Sequence, residues 1–391
     1  MINAPSSKSY AQRAIAAALL SDGQSSLRGI DLSDDTSAAL DVSARLGAKI
    51  THQGDVYSIQ GGLNPLSDLI SIGESGLSTR LFTPIAALCS RAITITGHGS
   101  IMKRPMDMMI SPLQSLGAHV DTNNGFLPFT VCGPLVGGRT VEVDGSLSSQ
   151  FLTGLLMALP LVDGHTTLIV KDLQSKPYID ITLDVLQQFG IQITNDNYKT
   201  FHIAGNQHYT PTDYVVEGDW SGASCLLVLR AISHANFDIG NLNRQSVQAD
   251  RAIERAISLA GSDLHCFDFD ATDCPDLFPA LVALAAHCVG DSHLKGTNRL
   301  THKESDRAVV LRDEFARLGI VVDISTPDVM MVRGGEVGLS AEIDPHGDHR
   351  IAMAAAVAAW NRHGVSVLNR SVVNKSYPAF WDDLALIVGL I

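Results

Sequence analysis

A helix-ending glycine recurs along this chain, and that recurrence limits the folds open to it. Amphipathic stretches close on an apolar residue, then Gly, then a short alternating run. The copies are Leu46-Gly47-Ala48-Lys49-Ile50, Leu116-Gly117-Ala118-His119-Val120, Phe189-Gly190-Ile191-Gln192-Ile193, Ala260-Gly261-Ser262-Asp263-Leu264 and Leu318-Gly319-Ile320-Val321-Val322. A final helix from about Ala379 runs into Gly389-Leu390. The glycines are 70, 73, 71, 58 and 70 residues apart. Gly fits the left-handed position that ends a helix because it has no Cβ to clash. The alternation after it starts a half-buried strand. One such signature occurs in any α/β protein, but six at near-even spacing predict an array of α/β units. Six units divide into two domains of three, with Val215-Val216-Glu217-Gly218-Asp219-Trp220-Ser221 as the crossing between them.

The chain has 391 residues, which at about 150 per domain also suggests two or three domains. Hydrophobic residues make up 45% and aromatics only 6%, so Ala, Ile, Leu and Val must fill the cores. That content excludes a disordered or collagen-like chain. The net charge of −13 argues against a general nucleic-acid binder, which needs a basic face. Anions can bind only where cations are concentrated locally. No apolar run is long enough for a spanning helix. The start, Met1-Ile2-Asn3-Ala4-Pro5, has neither a charged nor an apolar leader region. Cys89, Cys132, Cys225, Cys266, Cys274 and Cys288 form no CxxC pair, so they are expected to be reduced, in a cytoplasmic protein, without zinc.

Hydroxyl and cation clusters stand at expected helix starts. Ser7-Lys8-Ser9 leads to Arg13, which shares a helix face with Ser9 at i, i+4. Gly73-Glu74-Ser75-Gly76-Leu77-Ser78-Thr79-Arg80 is a Gly/Ser turn entering a helix. Lys103-Arg104-Pro105 sets two cations before a proline suited to a first helical turn. Asp144-Gly145-Ser146-Leu147-Ser148-Ser149-Gln150 and Ser175-Lys176-Pro177-Tyr178 are similar. Each reads either as an ordinary helix cap or as an anion site, since helix starts offer free N–H groups and a positive dipole end. In the C-terminal half, Asp276 precedes an apolar helix as a cap or a base. His302-Lys303-Glu304-Ser305-Asp306-Arg307 places Lys303 and Arg307 at i, i+4 if helical, with Glu304 beside them. Asp348-His349-Arg350 precedes a buried Ala-rich helix, where a solubilising role for Arg350 makes no sense. Lys375 is the last cation before the final helix. His346 and His349 lack a third ligand, so no metal is expected. Neither GxxxxGK[ST] nor a GxGxxG fingerprint occurs, which removes support for nucleoside triphosphate and dinucleotide folds.

In this order the motifs resemble the 5-enolpyruvylshikimate-3-phosphate synthase family, the 3-phosphoshikimate 1-carboxyvinyltransferases, over essentially the whole chain. Asp144-Gly145-Ser146 with Ser148-Ser149-Gln150, and Lys303-Glu304-Ser305-Asp306-Arg307, are the most specific strings. The resemblance implies a two-domain enolpyruvyl-transferase-like α/β fold, each domain of three βαβαββ units in an inside-out α/β barrel. Residues 9–216 would form the first domain and 1–8 with 217–391 the second, with the active site in the cleft. It implies transfer of the enolpyruvyl group of phosphoenolpyruvate to the 5-hydroxyl of shikimate 3-phosphate, releasing phosphate, with no cofactor.

By the family pattern Lys8, Ser9, Arg13, Ser148, Ser149, Gln150, Ser175, Asp276 and Lys303 hold shikimate 3-phosphate. Lys8, Gly76, Arg104, Gln150, Arg307, Arg350 and Lys375 hold phosphoenolpyruvate. Glu304 is the expected acid, Asp276 the expected base, and Lys8 a further catalytic group. No nucleic acid or membrane partner is expected, and a monomer is. Glu74 replaces a common Asn, Leu77 a common Thr, and Arg299 an Asn that contacts shikimate 3-phosphate, a contact not carried over here. Relatives carry a further strand ahead of the residue matching Lys8, so the loss of one edge pairing is expected. Enolpyruvyl transfer to a UDP-sugar such as UDP-N-acetylglucosamine is the nearest rival, but its loop cysteine has no counterpart between Gly97 and Lys103. RNA 3′-end cyclisation needs a basic face. A non-catalytic paralogue would not need Lys8, Asp276, Glu304 and Lys375 together.

Overall fold

The computed structural model describes residues 2–301, 303–335, 337–338 and 340–389. His302 of the charged string and Leu390 of the last glycine repeat lie outside the described residues. The chain divides into two compact units, Lys8–Glu217 and Met1–Ser7 with Gly218–Ile391.

The elements follow one cycle of helix, strand, helix, hairpin and outgoing strand. A leading strand β1 (Ile2–Asn3) precedes α1 (Lys8–Leu20), β2 (Gln24–Arg28), α2 (Asp34–Arg45), β3 (Lys49–Gln53), β4 (Val56–Gln60) and β5 (Leu69–Ser71). The second cycle is α3 (Gly76–Ala86), β6 (Ile93–Thr96), α4 (Ile110–Ser115), β7 (His119–Asn123), β8 (Phe126–Cys132) and β9 (Thr140–Asp144). The third is α5 (Gln150–Ala158), β10 (Thr166–Lys171), α6 (Pro177–Gln188), β11 (Ile193–Asp196), β12 (Thr200–Ile203) and β13 (Asp213–Val215).

Each outgoing strand leaves its own cycle and pairs in parallel with the next. β5 joins β6, β9 joins β10, and β13 returns to β2. The result is three four-stranded sheets, ordered β13-β2-β4-β3, β5-β6-β8-β7 and β11-β12-β10-β9, in which the last cycle closes on the first. A strand shared forward in this way makes each cycle complete only with its neighbour. Helices α1, α3 and α5 are buried along almost their whole length and form the centre of this unit. A Cβ at Gly154 on α5 would meet the Arg80 carbonyl of α3 at 2.3 Å, so the glycine lets the two backbones approach.

The second unit runs α7 (Trp220–Ser233), β14 (Ile239–Gly240), α8 (Ile253–Ala260), β15 (Asp268–Asp270), α9 (Phe278–Ala286), β16 (Asp291–Lys295), α10 (Arg307–Arg317), β17 (Val321–Asp323), β18 (Val329–Arg333), β19 (Glu342–Ile343), α11 (His349–Ala358), β20 (Ser366–Val367) and α12 (Phe380–Val388). Among the described residues it has one four-stranded sheet, β15-β16-β18-β17, and two-stranded pairs β1-β14 and β19-β20. Buried helices α7, α9 and α11 pack on one another at its centre.

The glycine expectation holds in detail at four helix ends. Gly47, Gly117, Gly190 and Gly319 have positive φ, and the N–H one residue later bonds five residues back, Ala48 to Ser43, Ala118 to Leu113, Ile191 to Leu186 and Ile320 to Phe315. That is the bond that satisfies the last helical carbonyls. Two copies differ from expectation. After Gly261 the chain turns and makes only a single bridge, His265 to Val289, before β15. Gly389 has φ −71°, so it ends α12 without a left-handed residue. Ile2–Asn3 pairs in parallel with Ile239–Gly240.

Candidate active site

In the Lys8–Glu217 unit, helix α1 begins at Lys8, whose Nζ donates to Asp35 Oδ2 at 2.9 Å. Ser9 follows, half-buried. One turn on, Arg13 is fully buried and donates to neutral oxygens. Nε donates to Thr182 Oγ1 at 2.9 Å, Nη1 to the Ser9 carbonyl at 2.8 Å, and Nη2 to Thr153 Oγ1 at 3.2 Å and the Tyr178 carbonyl at 3.1 Å. Burial pushes its pKa down to about 10, which leaves it cationic at neutral pH. Arg13 thus joins α1 to α5 and α6.

Helix α3 begins at Gly76, with Ser75 as its cap. Gln12 Oε1 accepts from Ser75 Oγ at 3.1 Å and Ser78 Oγ at 2.8 Å, tying α1 to this start. Arg80, one turn into α3, donates Nη1 to Gln150 Oε1 at 2.9 Å and Nη2 to the Pro105 carbonyl at 3.3 Å. Arg104 closes the same space. A Cβ at Gly76 would lie 2.9 Å from Arg104 Nη1, 3.2 Å from Arg80 Nη1 and 3.4 Å from Gln150 Oε1. Two like-charged guanidiniums therefore converge on a residue without a side chain. Burial and the Arg104 charge push the Arg80 pKa down to about 9. An anion placed here relieves that repulsion. Arg104 is extended, at φ −89° and ψ 134°, after the 3-10 turn Gly99–Lys103, so Pro105 opens no helix as the sequence suggested. Glu74 caps this turn, accepting from the Ser100 N–H at 2.9 Å and hydroxyl at 3.1 Å.

Gln150 opens α5, and Ser148 Oγ accepts its N–H at 3.2 Å. Ser149 is buried at the cap position without a capping side-chain bond. Ser175 is buried just before α6 at φ +55°, a conformation that costs a β-carbon residue strain and clusters at functional positions.

In the second unit the cations converge on Asp276. It lies in the turn before α9 and accepts Lys303 Nζ at 3.1 Å and Arg307 Nη1 at 3.0 Å on Oδ1, with Arg350 Nη2 3.3 Å from Oδ2. Burial alone would raise its pKa, but the charges of Arg350, Lys303 and Arg307 outweigh it and hold the carboxyl well below the usual range. Arg307 also donates Nη2 to Glu304 Oε2 at 2.9 Å and Nε to Asp348 Oδ2 at 2.8 Å. Burial lowers the Lys303 pKa. Helix α10 starts only at Arg307, with Asp306 as its cap, so Lys303 and Arg307 meet through a turn and not along a helix face. Asp348 caps α11 and accepts the Arg350 N–H at 3.0 Å. Lys375 ends a 3-10 turn and donates to the Gly347 carbonyl at 3.0 Å.

The site residues expected from sequence therefore fall into one cluster in each unit. Sequence reasoning missed the carboxylates that hold the cations, Asp35 and Asp348, and the placement of Gln12, Arg80, Ser221 and Asp250. Asp35 and Asp348 stand at helix starts, where they read as caps. Among the described residues no group of three His, Cys, Asp or Glu is arranged as metal ligands. Nor, among the described residues, is any helix long and apolar enough to cross a membrane.

The model of the EPSP synthase (3-phosphoshikimate 1-carboxyvinyltransferase) family matches residues 1–384. A 3-phosphoshikimate 1-carboxyvinyltransferase of Clostridium novyi (strain NT) is 35% identical over 417 aligned residues, covering 100% of this chain and 95% of the relative. One from Methanocella arvoryzae is 34% identical, covering 98% and 95%. An EPSP synthase structure from Acinetobacter baumannii shares the fold with TM-score 0.81 at 24% identity, covering 98% of this chain and 94% of that one. Family match, full-length identity and shared fold agree, and the chain belongs to the EPSP synthase family.

Proposed function

We propose that this protein transfers the enolpyruvyl group of phosphoenolpyruvate to the 5-hydroxyl of shikimate 3-phosphate, releasing phosphate, and that both cation clusters serve that one reaction. The observation that carries the reading is the gathering of Lys303, Arg307 and Arg350 on Asp276 in a chain whose net charge is −13. Each substrate bears a phosphate and a carboxylate, so they repel one another. Only concentrated cations bring them together, and Arg forks suit both anions.

Lys8, Ser9, Arg13, Ser148, Ser149, Gln150, Ser175 and Lys303 are assigned to shikimate 3-phosphate. Arg104, Gly76, Arg307, Arg350 and Lys375 are assigned to phosphoenolpyruvate, with Lys8 and Gln150 reaching both. Glu304 gives its proton to the enol methylene, which makes C2 electrophilic. The 5-hydroxyl oxygen attacks C2 and its proton passes toward Asp276. The tetrahedral adduct then expels phosphate while a methyl proton returns to the Glu304 carboxylate, restoring the enol double bond. Ion pairing keeps Asp276 a weak base in the free protein. The arriving anions compete for Arg307, Arg350 and Lys303, and so return basicity to it when the hydroxyl is present. When phosphoenolpyruvate draws Arg307 away from Glu304, the carboxylate loses the charge that favours its ionised form and takes up from water the proton it gives to the methylene. The protein is expected to act as a monomer in the cytoplasm, without cofactor.

Carbon-13-labelled phosphoenolpyruvate tests this reading. With shikimate 3-phosphate the expected product is an enol ether at the 5-oxygen, with one phosphate released per ether. Phosphate release that does not need shikimate 3-phosphate would contradict it.

A further inference from the structure

Ser9 and Gln150 open helices α1 and α5, and Ser175 stands just before α6. All three are assigned to shikimate 3-phosphate. One turn into each of these helices a buried side chain meets the other two. Arg13 lies four residues after Ser9, Thr153 four after Ser149 and Thr182 four after Tyr178. Arg13 Nε donates to Thr182 Oγ1 at 2.9 Å, Arg13 Nη2 donates to Thr153 Oγ1 at 3.2 Å, and the two hydroxyl oxygens are 2.9 Å apart. The triangle is closed to solvent, with Arg13 1% exposed and both threonines 0%. The Thr182 hydroxyl gives its proton to the Tyr178 carbonyl at 3.0 Å, so between the two hydroxyls Thr153 is the donor. The other acceptor open to Thr153, the Ser149 carbonyl, is farther away at 3.5 Å. A guanidinium has five N–H donors. Thr182, Thr153 and the Ser9 and Tyr178 carbonyls take four, which leaves one, on Nη1.

We propose that Thr153 and Thr182 are positioning residues that aim the remaining Nη1 hydrogen of Arg13 at shikimate 3-phosphate and hold the starts of α1, α5 and α6 in register around it. The proposal rests on the assignment of Arg13 to that substrate. A carboxylate in place of either hydroxyl would fix the guanidinium as well, but it would cancel the charge that draws an anion. Neutral oxygens hold the cation and leave its charge uncancelled. Each hydroxyl accepts from Arg13 and passes its own proton on, Thr153 to Thr182 and Thr182 to the Tyr178 carbonyl, so neither is left unpaired in the interior. Threonine suits the task, because its branched β-carbon restricts χ1 and its hydroxyl reaches the carbonyl one helical turn back. With four donors already committed, Arg13 meets its substrate at one point and not as a fork. A small displacement of the guanidinium is therefore not made good by a second arm.

Calorimetric titration of the full chain with shikimate 3-phosphate, with steady-state kinetics alongside, tests this. Thr182→Val exchanges the hydroxyl for a methyl of similar shape. It should weaken shikimate 3-phosphate binding about tenfold, the loss expected for one hydrogen bond to a charged group. The KM for phosphoenolpyruvate should stay within about twofold. Thr182→Ser keeps the hydroxyl but loses a buried methyl, so its melting temperature should fall while binding stays within about twofold of the parent. Thr153→Val should also weaken binding. Combined with Thr182→Val it should do so by less than the product of the two single effects, because both act on one guanidinium. In an Arg13→Met background, Thr182→Val should add nothing. Unchanged binding with Thr182→Val, or binding that follows melting temperature across the Ser and Val variants, would overturn the proposal. If Arg13→Met itself leaves binding unchanged, the assignment of Arg13 fails and the proposal with it. A parent chain that binds no shikimate 3-phosphate would overturn the substrate reading instead, and both assignments would fall together.

Discussion

Arg307 Nε stands 2.8 Å from Asp348 Oδ2, and neither side chain has any exposure to solvent. The pair joins the start of α10 to the start of α11 across 41 residues of sequence. Removing one partner of a buried pair strands the other charge in a poorly solvated place, which costs about 3–5 kcal/mol. Asp348→Ala also removes the α11 cap. Urea unfolding of that variant should show a loss of about 3 kcal/mol or more. A loss below about 1 kcal/mol would mean that Arg307 finds compensation among Asp276 and Glu304 alone.

Gly76→Ala places a methyl against Arg104 Nη1, Arg80 Nη1 and Gln150 Oε1. The clash falls on side-chain ends, so the fold should survive with an unchanged melting temperature. The two guanidiniums must part, and the KM for phosphoenolpyruvate should rise at least about tenfold. Unchanged kinetics would remove Gly76 from the substrate site.

Glu74 reaches the Ser100 N–H and hydroxyl at the start of the Gly99–Lys103 turn. Glu74→Asn is one methylene shorter and loses both bonds. Hydrogen exchange at Ser100 should quicken, and stability should fall by about 1 kcal/mol. Unaltered exchange would show that the turn holds without Glu74.

Asp276 titrates below its ordinary value because Arg350, Lys303 and Arg307 outweigh its burial. A depressed carboxyl contributes stability above its unfolded pKa and loses it as pH falls through its folded pKa. Asp276→Asn should therefore be less stable than the parent at pH 7, with the gap narrowing below about pH 4. A gap that is independent of pH would mean the loss is steric.

Much of this was readable in the chain because it depends on local chemistry. The glycines at 47, 117, 190 and 319 end helices by a backbone rule that neighbours cannot alter. The motifs at Gln150, Arg307 and Arg350 sit at helix starts because buried apolar runs follow them. What was not readable depends on distance. Glycine 261 carries the same local signature, yet the hairpin that follows the other copies is absent among the described residues, since β15 leaves almost at once for the next sheet. Asp348 reads as a cap in sequence, and only the fold brings it to Arg307.

The proposed function assigns both Arg104 and Arg350 to phosphoenolpyruvate. Parallel kinetics of Arg104→Ala and Arg350→Ala test it most directly. Each should raise the KM for phosphoenolpyruvate at least about tenfold and leave that for shikimate 3-phosphate within about twofold. A rise in only one of the two variants, or a rise confined to shikimate 3-phosphate, would contradict the account.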